Sequence, residues 1–169
     1  MIKLKINNIE EKLGFKISDR VNVLGIDTAS KRTGWCHLWT EEGELYIDYG
    51  FINMKSDNLL YKYNSLIDFF NQLTEKKDKV IIEEVFYSRN VKTVKLLSRV
   101  GMIVYQSAYN NGCKDISFLL ASQARNGIGL KNKKKEIVHA NFIEKFGIKI
   151  GDEDCLDALI LALNKIKDE

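Results

Sequence analysis

The hydrophobic pattern of this chain changes period after Ile52, and that change does most to limit its fold. Up to Ile52 the apolar residues come in short β-rich runs: VNVLGI at 21–26, then 33–40 and 44–52, the last two separated by EEG with Gly43 at a hairpin turn. Beyond them Leu59, Tyr63, Leu66, Phe70 and Leu73 recur at helical spacing, which predicts a helix over 57–75. KVIIE at 79–83 reads as a short buried strand. A long helix follows over 90–110, with an apolar seam through Val94, Leu97, Val104 and Ala108 and a stop at Gly112. A strand at 115–120 and helices at 133–146 and 152–167 complete the order. Three strands followed by α-β-α-β-α-α predict an α/β fold, one mixed sheet flanked by helices. Residues 1–20 precede it as an accessory strand or arm. Inside the long helix, Gly101 permits a close approach, in the core or between two copies.

The 169 residues suit one domain, 21–169, with no linker, repeat or low-complexity stretch to divide it. No apolar run approaches the ~20 residues that span a bilayer, and the start lacks a signal-peptide core, so a cytoplasmic protein is expected. Cys36, Cys113 and Cys155 have no metal-binding spacing, which argues against zinc and a disulfide framework. A net charge of +3 is only a mild pointer to a polyanionic partner.

Three apolar elements end in acid. Asp27 closes the first buried run, Glu83 and Glu84 close the fourth, and Asp154 and Asp157 open the last helix with an i,i+3 spacing that puts both on one face. The opposite face, with Leu156, Leu159, Ile160 and Leu163, should pack on the sheet. If the first and fourth strands are neighbours, Asp27, Glu83, Asp154 and Asp157 meet and repel unless cations sit between them. Hard oxygen ligands favour Mg²⁺ or Mn²⁺, and two such ions roughly 3.5–4 Å apart form a clamp for displacement at phosphorus. The bland reading is that Asp152–Asp154 only cap the helix and the strand-end acids face solvent.

These residues resemble a known family. GIDTASKRTG is similar to the first motif of the RuvC Holliday-junction resolvases, within the ribonuclease H-like superfamily; IIEEVFYSRNVKTVKLLSRVGM resembles the second block and DCLDALILAL the closing motif. The match runs collinearly over about 21–165. It implies a five-stranded ribonuclease H-like sheet with its first three strands antiparallel. It also implies Asp27, Glu83, Asp154 and Asp157 as catalytic metal ligands for two Mg²⁺ ions, with Mn²⁺ as a substitute. The activity implied is a homodimeric endonuclease that cuts four-way DNA junctions by paired nicks, leaving 5′-phosphate and 3′-hydroxyl ends. Arg125 and Lys134, with Lys135 as an alternative, match the family's basic residues near the scissile phosphate. Lys131 and Lys133 extend that basic run, and Phe86 matches an aromatic set against a base. Ser30, Lys31 and Arg32 are candidates for the DNA side, and the Gly127–Gly129 pair reads as a loop hinge. TA replaces the family's PG after Asp27, and Arg125 replaces a lysine, which points to a diverged, bacteriophage-type branch.

Rival readings use the same residues. A flap or branch nuclease, or a ribonuclease H-type enzyme cutting RNA in a hybrid, would need the same acids, and a junction-binding protein would have lost them. GIDTASKRTG also resembles the first phosphate loop of actin- and sugar-kinase-like proteins, whose two duplicated domains need more than 169 residues.

Overall fold

The computed structural model describes residues 1–29, 31–53, 58–85, 90–131 and 134–168. Among these residues six strands form one sheet: β1 (Ile2–Lys5), β2 (Asn22–Asp27), β3 (Arg32–Glu41), β4 (Glu44–Asn53), β5 (Lys79–Glu83) and β6 (Asp115–Leu119), in the order β1-β4-β3-β2-β5-β6. The helices are α1 (Ile6–Leu13), α2 (Leu59–Leu73), α3 (Val91–Asn110), α4 (Ala121–Gly127), α5 (Lys135–Phe146) and α6 (Glu153–Leu163). β2, β3 and β4 are antiparallel neighbours, as expected, while β5 and β6 run parallel to β2.

Period-two alternation sorts the central strands between two cores. Val23, Cys36, Leu38 and Ile81 face one side, where α1, α5 and α6 bury Ile9, Phe142, Phe146 and Leu159. Leu24, Ile26, Val80 and Ile82 face the other, against Leu66, Phe70, Val100 and Val104 of α2 and α3. Gly101 points at Phe118 and Ile82, so its close approach serves sheet packing within one chain.

Three sequence expectations are corrected. The sheet has six strands instead of five because residues 1–20 carry β1, which pairs with the free edge of β4 (Leu4 opposite Leu45), and then α1. The eight residues of α1 show Ile6, Ile9 and Leu13 on one stripe and end at Gly14 in the left-handed region (φ 77°). Its Lys12 ammonium donates to the Phe146 carbonyl at 3.0 Å, and Ile17 bridges to Lys167. The stretch holding Gly127 is helical, not a hinge: α4 ends there, and a Cβ on Gly127 would strike the Asn164 side chain, whose amide donates to Ala124 and Ile160 carbonyls at 3.0 and 2.8 Å. That same side chain caps α6, which stops at Leu163 short of the predicted 167.

Ile9 is 1% exposed and links α1 to the α5–α6 core. Ile9→Ala should cost about 2–5 kcal/mol of stability, read as a lowered urea midpoint; an unchanged midpoint would mean that residues 1–20 do not belong to the cooperative core.

Candidate active site

The site is built by a register and two glycines. β2 and β5 pair in parallel up to Ile26 opposite Ile82, so the next residues, Asp27 and Glu83, stand side by side at the strand ends. Both lie on the α6 face of the sheet, two positions on from Gly25 and Ile81. α6 approaches that face unusually closely. A Cβ on Gly25 would collide with the Ala158 carbonyl and Ala162, and one on Gly34, opposite Asp27 on β3, would collide with the Asp154 backbone. Only glycine permits this seating, and it sets the first turns of α6 over Asp27. Asp152 caps the helix, its Oδ1 accepting from the Asp154 and Cys155 amides at 3.1 Å each.

Asp27 is 6% exposed. Burial pushes its carboxyl well above the ordinary 3.8; its hydrogen bond to Glu83 and the charges of Glu83, Asp157 and Asp154 push it further in the same direction. The helix acids have different company. The Lys135 ammonium lies 2.8 Å from Asp157 Oδ2 and 3.9 Å from Asp154 Oδ1. Burial alone would lower the Lys135 pKa, but its hydrogen bond to Asp157 and the charges of Asp157, Asp27 and Asp154 hold it above the ordinary 10.5. Asp157 Oδ1 also meets His139 Nε2 at 3.1 Å and Arg125 at 3.7 Å. Arg32 bonds Asp152 and Asp154 at 2.7 Å each.

The structure thus brings Asp27, Glu83, Asp154, Asp157, Lys135 and Arg125 together. Glu84 stands apart, its carboxylate accepting from the Val85 amide at the surface. Lys31 and Lys134 are exposed, and Lys134 sits at the start of α5. Lys131 lines a separate cleft with Asn141, Glu144 and Lys145. Phe86, Lys133 and Ser30 lie outside the described residues. His139 was not anticipated: its signal is its place four residues after Lys135, on the same helical face.

The donor set fits a hard divalent cation. It consists of carboxylates alone, its most buried member is surrounded by like charge, and an ammonium already stands against two of them as a cation would. Among the described residues, no three of these side chains converge as a ready metal cage; Arg32, Lys135 and His139 hold the helix pair instead.

A mixed sheet that gathers acids from two neighbouring parallel strands and one overlying helix is the ribonuclease H-like class of fold. The family model described as crossover junction endodeoxyribonuclease RuvC matches residues 23–165, and the chain belongs to the RuvC family. RuvC of Dictyoglomus thermophilum is 26% identical over 158 residues, 85% of this chain and 95% of that protein. RuvC of Caldicellulosiruptor saccharolyticus is 29% identical over 158 residues, 85% and 90% of the two chains. Two solved structures share the fold. Thermus thermophilus RuvC in complex with Holliday junction substrate has a TM-score of 0.70 at 15% identity, covering 85% of this chain and 91% of its own. The yeast mitochondrial Holliday junction resolvase Ydc2 has a TM-score of 0.60 at 15% identity, covering 94% and 84%. No helix among the described residues is long and apolar enough to cross a membrane.

Two outcomes follow from this geometry. Gly34→Ala should destabilise the fold by about 1–3 kcal/mol and depress activity, because the neighbour in the way is Asp154 backbone; Gly151→Ala, where a Cβ meets nothing, should cost little stability by chemical denaturation. The second concerns pH. With its folded pKa raised, Asp27 loses its proton first in the unfolded chain, so its contribution to stability falls as pH rises above the usual carboxylate range, about 3.9. In chelator-treated protein Asp27→Asn should therefore match wild type in strong acid and become progressively more stable than wild type toward neutrality, as read by thermal melts across pH.

Proposed function

We propose that this chain is a divalent-metal-dependent endonuclease that resolves four-way DNA junctions, with Asp27, Glu83, Asp154 and Asp157 as its metal-binding and catalytic acids. The observation that carries this reading is the burial of Asp27 against Glu83 beneath the two acids of α6. Membership of the RuvC family supports the substrate, as does the junction-bound structure of a relative with the same fold.

The four acids would hold Mg²⁺, two ions per site, with Mn²⁺ able to substitute. Such ions supply a water nucleophile at neutral pH and charge neutralisation at phosphorus. The chain's own part is positional. The strand pairing fixes Asp27 beside Glu83, and α6 lays Asp154 and Asp157 over them. Lys135 and Arg125 border Asp157 and would grip the scissile phosphate and offset its growing charge. Lys31, Lys134 and Lys131 add exposed cations for the DNA backbone, so binding should weaken steeply with salt. Residues 1–20 form an extension and 21–169 the nuclease domain, acting in the cytoplasm.

Two cuts on a symmetric junction call for two sites, and the α2–α3 surface suits a second copy. Ile67, Met102, Tyr63 and Ile103 line a groove of about 450 Å³, and Leu60 is exposed nearby. A symmetric pair joined there would be a homodimer; attack of water on phosphorus with the 3′ oxygen as leaving group would give 5′-phosphate and 3′-hydroxyl ends.

Asp27→Asn should abolish Mg²⁺-dependent cleavage of a synthetic four-way junction while junction binding persists in a gel shift; retained cleavage would overturn the assignment. Wild-type protein should cut four-way junctions ahead of flaps, Y-forks and RNA–DNA hybrids, whereas preference for the hybrid would favour a ribonuclease H-type enzyme.

A further inference from the structure

Arg32 follows Asp27 by five residues within the first acid motif, in a basic stretch read from the sequence as facing DNA. The structure turns it inward. β3 starts at Arg32 directly beneath the N-terminus of α6, because Gly34, two residues on, packs against the Asp154 backbone. The guanidinium lies over the Phe51 ring, 4.8 Å from its centroid. Its Nη1 bonds Asp152 Oδ2 and its Nε bonds Asp154 Oδ2, both at 2.7 Å.

The oxygens of the two aspartates divide their work. Asp152 Oδ1 accepts the Asp154 and Cys155 amides and caps α6, while its Oδ2 holds the guanidinium. Asp154 Oδ2 is taken by Arg32 Nε. Among the described residues Asp154 Oδ1 is left, turned toward Lys135 at 3.9 Å on the side where Asp27 and Asp157 lie. A carboxylate in the first turn of a helix would otherwise be free to turn back on the helix amides or out to water. A planar fork that binds two acids at once removes that freedom, which a lysine's point charge would not do.

We propose that Arg32 and Asp152 form a positioning pair that locks the rotamer of Asp154 so that its Oδ1 alone is presented to the metal of the acid site. The pair acts through Asp154 and touches no DNA. This rests on reading the four acids as metal ligands.

The test is Mn²⁺ affinity of the DNA-free protein by calorimetry, beside junction affinity across salt concentrations, for Arg32→Ala, Arg32→Lys, Asp152→Asn and the Arg32→Ala/Asp152→Asn double variant. Each single change should weaken Mn²⁺ binding about 10–100-fold. The double variant should be no worse than the worse single, Lys should not rescue, and junction affinity and its salt slope should stay at wild-type values. Asp152→Asn keeps an oxygen for the helix cap, so it carries the test if Arg32→Ala fails to fold by circular dichroism.

Two results would overturn the proposal. One is weaker junction binding with a flatter salt slope and unchanged Mn²⁺ affinity in Arg32→Ala, the mark of a DNA contact. The other is opposite signs, Arg32→Ala tightening and Asp152→Asn weakening Mn²⁺, the mark of charge acting without geometry. Asp27→Asn separates the levels. If it leaves Mn²⁺ binding and cleavage intact, the metal-site reading falls. If it abolishes both while the Arg32 and Asp152 variants bind Mn²⁺ normally, only the positioning pair falls.

Discussion

The seating of α6 on the central strands is the contact on which the site depends. Helix and sheet usually keep their distance because side chains stand between them. Here Gly25 and Gly34 remove those side chains from the sheet, and Ala158 and Ala162 are small on the helix, so backbone meets backbone. The helix is buried along most of its length, from Cys155 to Leu163, and its apolar residues hold its first turn in place. Acids at that turn are thereby carried to the strand ends, where no flexible loop could hold them so firmly.

The charges are unevenly shared. Asp27, fixed by its strand, feels the charges of Glu83, Asp157 and Asp154, and its own charge helps hold the Lys135 ammonium. Asp154 and Asp157 stand among Arg32, Lys135, His139 and Arg125. Among the described residues, like charge thus surrounds the buried Asp27, while the helix acids hold the close counter-ions. Lysines at the start of α5 would oppose the helix dipole; the bond from Lys135 to Asp157 gives at least one of them a compensating partner.

Much of this could be read in the residues, and the limits have physical causes. The acids stand out because each ends or opens an apolar run, while the adjacency of β2 and β5, only a condition in the sequence, is seen in their parallel pairing. β1 answers to the accessory strand read in residues 1–20, whereas α1 is obscured because an eight-residue element with mixed charge gives too short a periodic signal. Gly127 reads as a loop hinge because it sits at a helix end that only Asn164, far along the chain, explains. The roles of Gly25 and Gly34 are invisible without knowing what lies above them. For Arg32 the residues alone suggest a nucleic-acid contact, a basic residue within an acid motif, and give no sign of its bonds to Asp152 and Asp154, far along the chain.

The parallel pairing of β2 with β5 has a consequence for how such a site could diverge. Neighbouring strands lie about 4.8 Å apart whatever their side chains, so the span between Asp27 and Glu83 is a property of the backbone ladder and cannot be tuned by small substitutions. The helix has no such ruler: its height and tilt follow from the bulk of the residues beneath it. Half of the site is thus a fixed jaw and half an adjustable one. Changes in the spacing between the two pairs of acids would arise among the residues under and around α6, while the strand acids stayed constant.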